Sequence, residues 1–187
     1  MQHPYCYPGT DIYRNKWNIR DGGMLASLER LETLTRRENL PRHLPITVTG
    51  FKRIHHHIFR NIYDWAGKYR YVDTGRAGSP FCRADFIAGE MDKRFAFILA
   101  ENRLHGLSVA QFAARAAEHV SELNAIHPFL DGNGRTLRGF LDVLAEQAGH
   151  EIDLTRVDPL QWNRASAVSF QRSDYGPMQV VIEAAIV

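Results

Sequence analysis

Cysteine is nearly absent from this chain: Cys6 and Cys82 are its only two, and neither stands at a metal-ligand spacing. That excludes a zinc- or cluster-bearing scaffold and a disulfide-dense one, and the pair reads as reduced thiols of a cytosolic protein. Long apolar runs are missing as well. No stretch approaches the roughly 20 residues of a membrane-spanning helix. The N-terminus, MQHPYCYPGTDIYRNKWNIRDGG, lacks the basic-then-apolar layout of a signal peptide. Charge of one sign is not in excess either. Lys and Arg number 23 against 21 Asp and Glu, a net +2 at pH 7, too little to argue for direct binding of nucleic acid or a membrane. Repeats, low-complexity tracts and long linkers are absent. The 187 residues suffice for a single domain, 1–187, with a sizeable core.

What is present is mostly helical periodicity. Residues before 21 are broken by Pro4, Pro8 and Gly9. From Asp21 onward Leu25, Leu28, Leu31 and Leu34 recur every three residues, so residues 1–50 are expected to form an N-terminal segment and a helix packing on the core. After the prolines of LPRHLPITVTG, the residues Phe51, Ile54, Ile58, Phe59, Ile62 and Trp65 resume helical spacing, and Gly67 suits a helix end. Tyr69, Tyr71 and Val72 favour extended chain, and Gly75, Gly78 and Pro80 supply turns; residues 72–83 are the one hairpin candidate. Helical patterns then end at Gly106, run from a Ser108 cap through Phe112, Ala116, Val120 and Leu123 to about Ile126, and run again from about Asn133 through Leu137, Phe140, Leu141 and Leu144 to Gly149. Two shorter ones lie near 158–170 and 175–187. The predicted fold is all-α, a helical bundle with one small β-hairpin.

Between the two long helices lies NAIHPFLDGNGRTLRGFL, residues 124–141. A plain turn needs Gly, Asn and Asp, but not a His before it and two arginines after it. A helix N-terminus offers unpaired N–H groups and partial positive charge, and glycines let backbone approach a bound group, so Gly132, Asn133 and Gly134 suit a phosphate. Arg135 and Arg138 share a face of the first turns, where an anion would relieve their repulsion from the dipole. Asp131 is a hard oxygen ligand of the kind Mg²⁺ uses beside phosphates. His127 can take a proton from a hydroxyl, and Phe129 would point into the core and pin the loop. Together these residues read as a nucleotide polyphosphate site with a metal and a general base.

HPFLDGNGRTLR, residues 127–138, also matches in full the signature HPFx(D/E)GNGRxxR, and by it the chain resembles Fic-domain proteins. DIYRNKWNI, IHHHIFRNIYDWAGKYR and SPFC resemble the corresponding parts of short bacterial Fic toxins. The resemblance implies the Fic fold, with the hairpin as a flap over the site, and transfer of AMP from ATP to a hydroxyl side chain of a target protein. His127 would be the base and Asp131 the Mg²⁺ ligand. Gly132, Asn133 and Gly134 would cradle the α- and β-phosphates, with Asn133 steadying the first; Arg135 would pair on the β-phosphate side and Arg138 with the γ-phosphate. Pro80 and Phe81 fall where the flap touches nucleotide and target, although Phe81 also suits a hairpin core. Trp162 and Asn163 suit either an adenine border or, for Trp162, the core. Three other readings stand beside AMP transfer: UMP or phosphocholine transfer, phosphorylation as in the Doc branch, and non-catalytic nucleotide binding. Gly134 and Arg138 speak against the Doc branch, and His127 with Asp131 against mere binding.

The resemblance further implies control by a small helical antitoxin. Its inhibitory motif is Ser or Thr, three residues, Glu, then Gly or Asn, and its Glu would pair with Arg138. In this chain only Glu38 and Glu101 are followed by Asn or Gly, and Leu34 and Phe97 stand where Ser or Thr is needed; the brake is therefore expected from a partner. DNA gyrase or topoisomerase IV is the expected target in a bacterial cytoplasm, and a host small GTPase if the chain belongs to a secreted effector. Among the remaining histidines, the run at 55–57 cannot converge on one ion, because consecutive helical residues diverge. His55 is expected to be structural, His56 or His57 solvated, and His119 a surface or packing residue.

Overall fold

Short polar side chains set where the helices begin in the computed structural model, which describes residues 3–76 and 78–187; Met1, Gln2 and Ala77, the last inside the expected hairpin segment, lie outside the described residues. Asp21 accepts from Met24 N–H to start α1 (Gly22–Glu38), and Thr47 accepts from Gly50 N–H to start α2 (Val48–Phe59). Strands β1 (Gly75–Arg76) and β2 (Ser79–Pro80) form an antiparallel hairpin with Gly75 opposite Pro80. α3 (Ile87–Ala100) follows. Ser108 and Gln111 form a reciprocal capping box at the head of α4 (Val109–Ile126), as its Ser-x-x-Gln spacing leads one to expect. α5 (Asn133–Ala148) ends at Gly149 in the left-handed region, and α6 (Pro159–Arg172) and α7 (Gly176–Ala185) complete the described helices.

Helix α4 is the hub. It packs on α3, α5, α6 and α7, and Phe112, Ala113, Ala116, Ala117, Val120 and Leu123 are all buried along it. Its alanines let neighbouring helices approach. Gly139 does the same on α5: a Cβ there would lie 3.0 Å from Leu40 and 3.1 Å from Ile54, so α2 sits directly against the α5 backbone. Phe51, Phe95, Phe129 and Phe140 meet where α2, α3 and α5 converge, with ring centroids 5.4–5.9 Å apart for Phe51 against the other three. This aromatic core lies directly beneath the loop that joins α4 to α5.

Three expectations change in detail. Helix α2 stops at Phe59, although apolar spacing continues to Trp65; Ile62, Tyr63 and Trp65 are buried by turns that fold back, with the Trp65 ring stacked 4.2 Å from Tyr63. Tyr69, Tyr71 and Val72 form no strand, and the paired part of the hairpin is confined to four residues. Of the α1 leucines only Leu25 is buried, because a strict three-residue spacing drifts about 60° per step around a helix.

Loss of the capping box isolates its contribution. Ser108→Ala is expected to lower stability by about 1 kcal/mol in urea unfolding with specific activity unchanged, since the cap lies at the far end of α4 from His127.

Candidate active site

Helix α4 ends because His127 adopts φ +50 and ψ 59, a left-handed conformation that costs a non-glycine residue roughly 1–2 kcal/mol. Surrounding bonds hold it there. His127 N–H donates to Leu123 O at 3.1 Å, and its own carbonyl accepts from Arg70 Nε at 2.8 Å. The imidazole Nδ1 lies 3.3 Å from the Asn124 carbonyl. A carbonyl only accepts, so Nδ1 carries the proton and Nε2 keeps its lone pair. Burial then lowers the His127 pKa to about 4, opposed by the Asn124 bond and reinforced by Arg70; the ring is a neutral acceptor at physiological pH.

The loop after His127 is pinned from below. Phe129 is fully buried and stacks on His55 at 3.8 Å. The Asn133 side chain accepts from Phe129 N–H at 3.0 Å and donates to Phe129 O at 2.8 Å, so both amide atoms are engaged within the loop. His55 accepts from Gly67 N–H at 2.7 Å, which leaves Nε2–H to donate to Asp131 O at 3.0 Å. Burial lowers the His55 pKa to about 3. The expected structural role of His55 is what the geometry shows. Gly132 has φ +78, and a Cβ there would lie 2.2 Å from the Phe59 ring; only glycine fits.

This pinned loop presents the N-terminus of α5 with its first amides unpaired along the helix. The Asp131 side chain is 46% exposed; one oxygen accepts from Gly132 N–H at 2.6 Å and the other lies 3.6 Å from Arg135. Arg135 is tied to Glu29 of α1 at 2.6 Å and lies 4.6 Å over the Phe59 ring; Tyr63 donates to the other Glu29 oxygen. Asp131, Arg135, Glu29, Tyr63 and Tyr13 line a cleft of about 390 Å³. Arg138 sits 5.6 Å over Trp162, and its Nε is buried without a hydrogen-bond partner. Burial, then Arg37 and Arg135, hold its pKa below the usual guanidinium range. Asp142 opposes them, but no side chain bonds the half-buried guanidinium, which is suited to an anion.

The hairpin reaches the site through Phe81. Its ring stacks on His127 at 3.8 Å and 2° and touches Phe170 at 4.9 Å, so it is half-buried and also covers the base. Arg76, Phe81, Asn124, His127, Ser166 and Phe170 line a second cleft of about 180 Å³. Pro80 pairs across the hairpin and is exposed. Trp162 is 2% exposed and belongs to the core, whereas Asn163 is exposed. His119 is fully buried, 3.3 Å from Arg94 and 3.5 Å from Glu101, a packing residue rather than a surface one. His57 bonds the Arg36 carbonyl at 3.0 Å, leaving His56 as the exposed member of the run. Two functional neighbours carried no sequence signal, Glu29 and Arg70, since each acts on a segment distant in the chain.

Three comparisons bear on the site. Residues 45–145 match the sequence profile of the Fic/DOC family. The chain is 36% identical to a probable protein adenylyltransferase, y4lH, of Sinorhizobium fredii, over 97% of this chain and 95% of that one. Two solved structures superimpose closely. The N-terminal Fic domain of a VirB-translocated effector from Bartonella quintana, with bound ADP, is 28% identical with a TM-score of 0.91, over 100% of this chain and 96% of that one. BepC from Bartonella tribocorum, with bound AMPPNP, is 26% identical with a TM-score of 0.89, over 98% and 96%.

The two glycines of the loop should respond differently. Gly132→Ala combines backbone strain with overpacking against Phe59 and is expected to cost roughly 2–4 kcal/mol. At Gly134 a Cβ meets only Arg138 Nη2, at 3.9 Å, and Gly134→Ala should change stability by less than about 1 kcal/mol. Thermal unfolding of both variants checks the contrast.

Proposed function

The chain belongs to the Fic/DOC family, and on that premise we propose that it is a protein adenylyltransferase, moving AMP from ATP to a hydroxyl side chain of a target protein. The observation that carries this reading is His127, a neutral base with a free Nε2 held beside an anion-ready helix N-terminus. The target hydroxyl oxygen forms a bond to the α-phosphorus. The bond from that phosphorus to the bridging oxygen breaks, pyrophosphate leaves, and the hydroxyl proton passes to His127 Nε2. Gly132, Asn133 and Gly134 would cradle the phosphates, Asn133 and Gly134 through backbone N–H groups, since Gly132 N–H is given to Asp131 and the Asn133 side chain to Phe129. Arg135 would serve the β-phosphate side. Arg138 would give its unpartnered Nε–H to the γ-phosphate end. These are charge stabilisation and positioning, the main demands of transfer at phosphorus.

Asp131 fits a Mg²⁺ ion. It is a half-exposed hard carboxylate beside the phosphate-binding amides, and no group of three metal-capable side chains converges among the described residues, which suits an ion held mainly by nucleotide and water. When bound, such an ion supplies neutralisation of developing phosphate charge.

In this reading the flap, about residues 72–83, adds backbone pairing with an extended target segment, and Phe81 shields the base while doing so. The chain acts as a toxin, and a separate helical antitoxin carrying the Ser/Thr-x-x-x-Glu-Gly/Asn motif restrains it through Arg138. A charge-assisted Arg–carboxylate bond of that kind is worth about 1.5–3 kcal/mol. Bacterial DNA gyrase or topoisomerase IV is the proposed target. The translocated effectors among the structural relatives favour a second reading, delivery into another cell; a host small GTPase would then be the target. No helix among the described residues is long and apolar enough to cross a membrane.

His127→Ala is expected to lower turnover about 10²–10⁴-fold while ATP affinity, by calorimetry, changes by less than about 1 kcal/mol. Near-normal turnover would remove His127 from its role. Because the free-enzyme pKa is depressed to about 4, neutral His127 persists well below the ordinary histidine range. The acid limb of kcat/KM should therefore have its midpoint nearer pH 4 than 6.5, and bound nucleotide charge should move the limb of kcat upward. Asp131→Ala should abolish the response to Mg²⁺ together with most activity; a variant still responding as the parent does would refute the metal assignment.

A further inference from the structure

Arg70 is 2% exposed, and none of the ion pairs among the described residues includes it. Its guanidinium is spent on carbonyls. Nε donates to His127 O at 2.8 Å, Nη1 to Val72 O at 2.7 Å, and Nη2 to Cys82 O at 2.5 Å and Ile126 O at 3.3 Å. The Arg70 backbone N–H adds a bond to Pro128 O at 3.0 Å. One residue thus receives three consecutive carbonyls of the α4 terminus and its loop, together with one carbonyl from each stem of the hairpin. Cys82 N–H closes the set by donating to Ala125 O at 3.2 Å.

The chemistry explains why arginine stands here. Carbonyls at a helix C-terminus lack intrahelical donors and carry the negative end of the dipole, so a buried cation is stabilised without a carboxylate. Five donors fixed in one plane can address four acceptors on three segments; an ammonium offers three donors from one point. The carbonyl held by Nε belongs to His127, whose left-handed backbone aims the imidazole. The carbonyl held by Nη2 belongs to Cys82, next to Phe81, the ring stacked on that imidazole.

We propose that Arg70 is a positioning residue for the transfer reaction, a clasp that fixes the distance between the base His127 and the target-binding flap. It touches neither substrate nor nucleotide. This rests on the adenylyltransferase reading above. Its consequence is that flap order and base geometry are one property, set at a residue outside the signature motif.

The test uses Arg70→Lys, which keeps the charge and loses the fork, with Arg70→Ala as a second variant. Two readouts are taken on each. Amide hydrogen exchange at Phe81, Cys82 and His127, set against amides within α4 and α5, reports the clasp without reference to activity. Steady-state kinetics of target modification report the role. Arg70→Lys is expected to speed exchange at those three amides at least tenfold with the helices unchanged, to lower kcat per folded molecule 10–100-fold, and to leave the KM for ATP within twofold. In Arg70→Ala, millimolar methylguanidinium should restore part of the lost turnover. Arg70→Lys with parental exchange and parental kcat would overturn the proposal, and so would a loss of activity that merely tracks the unfolded fraction. If Arg70→Ala does not fold, Arg70→Lys decides alone. Altered exchange with no AMP transfer even by the parent would overturn the functional reading, and the catalytic role with it, while leaving the clasp as a structural fact.

Discussion

A helix cannot end in a protein interior without donors for its last carbonyls, and the site is built around how α4 meets that demand. His127 turns left-handed at the end of the helix, and Arg70 supplies the donors for Ile126 and His127. The left-handed turn frees the chain to run through Pro128 and Phe129 into the core and back out at Gly132. Had α4 continued another turn, His127 would lie on its flank and α5 could not begin beside it. The strain at His127 is offset by the bonds that hold it, and the same bonds orient its ring.

Below the loop, the aromatic core determines how rigid the site is. Phe129 lies between Phe51 and His55, and Asn133 closes the loop on Phe129 from the side. The neutral His55 is matched on both ring nitrogens and joins Gly67 to Asp131. Among the buried side-chain atoms without a partner are the Nε groups of Arg138 and its neighbour Arg37. A folded protein rarely leaves such donors unmet, and their placement near the N-terminus of α5 concentrates positive potential there.

Much of this was legible in the sequence, for physical reasons. Helix ends at Ile126 and Asn133 were readable because Gly132 marks a left-handed turn and the apolar periodicity stops between them. His127, Asp131 and the two arginines were readable because their chemistry is unusual for a turn. The end of α2 was not, since Ile62, Tyr63 and Trp65 keep an apolar spacing whether they continue a helix or fold back. Whether His119 lies at the surface or packs inside is not readable from the sequence, because Arg94 and Glu101 come from other elements to meet it. Glu29 and Arg70 were invisible for the same reason. Their function consists of bonds to groups far away in the chain, and periodicity carries no information about such partners.

The central claim is that this geometry directs attack at the α-phosphorus. It is tested most directly by incubating the purified protein with bacterial lysate and ATP labelled at either the α- or the γ-phosphate, then following label into protein. Label retained from the α-position alone, with free pyrophosphate as the co-product, is the predicted result. Protein label arriving from the γ-position would contradict it and assign the site to phosphorylation.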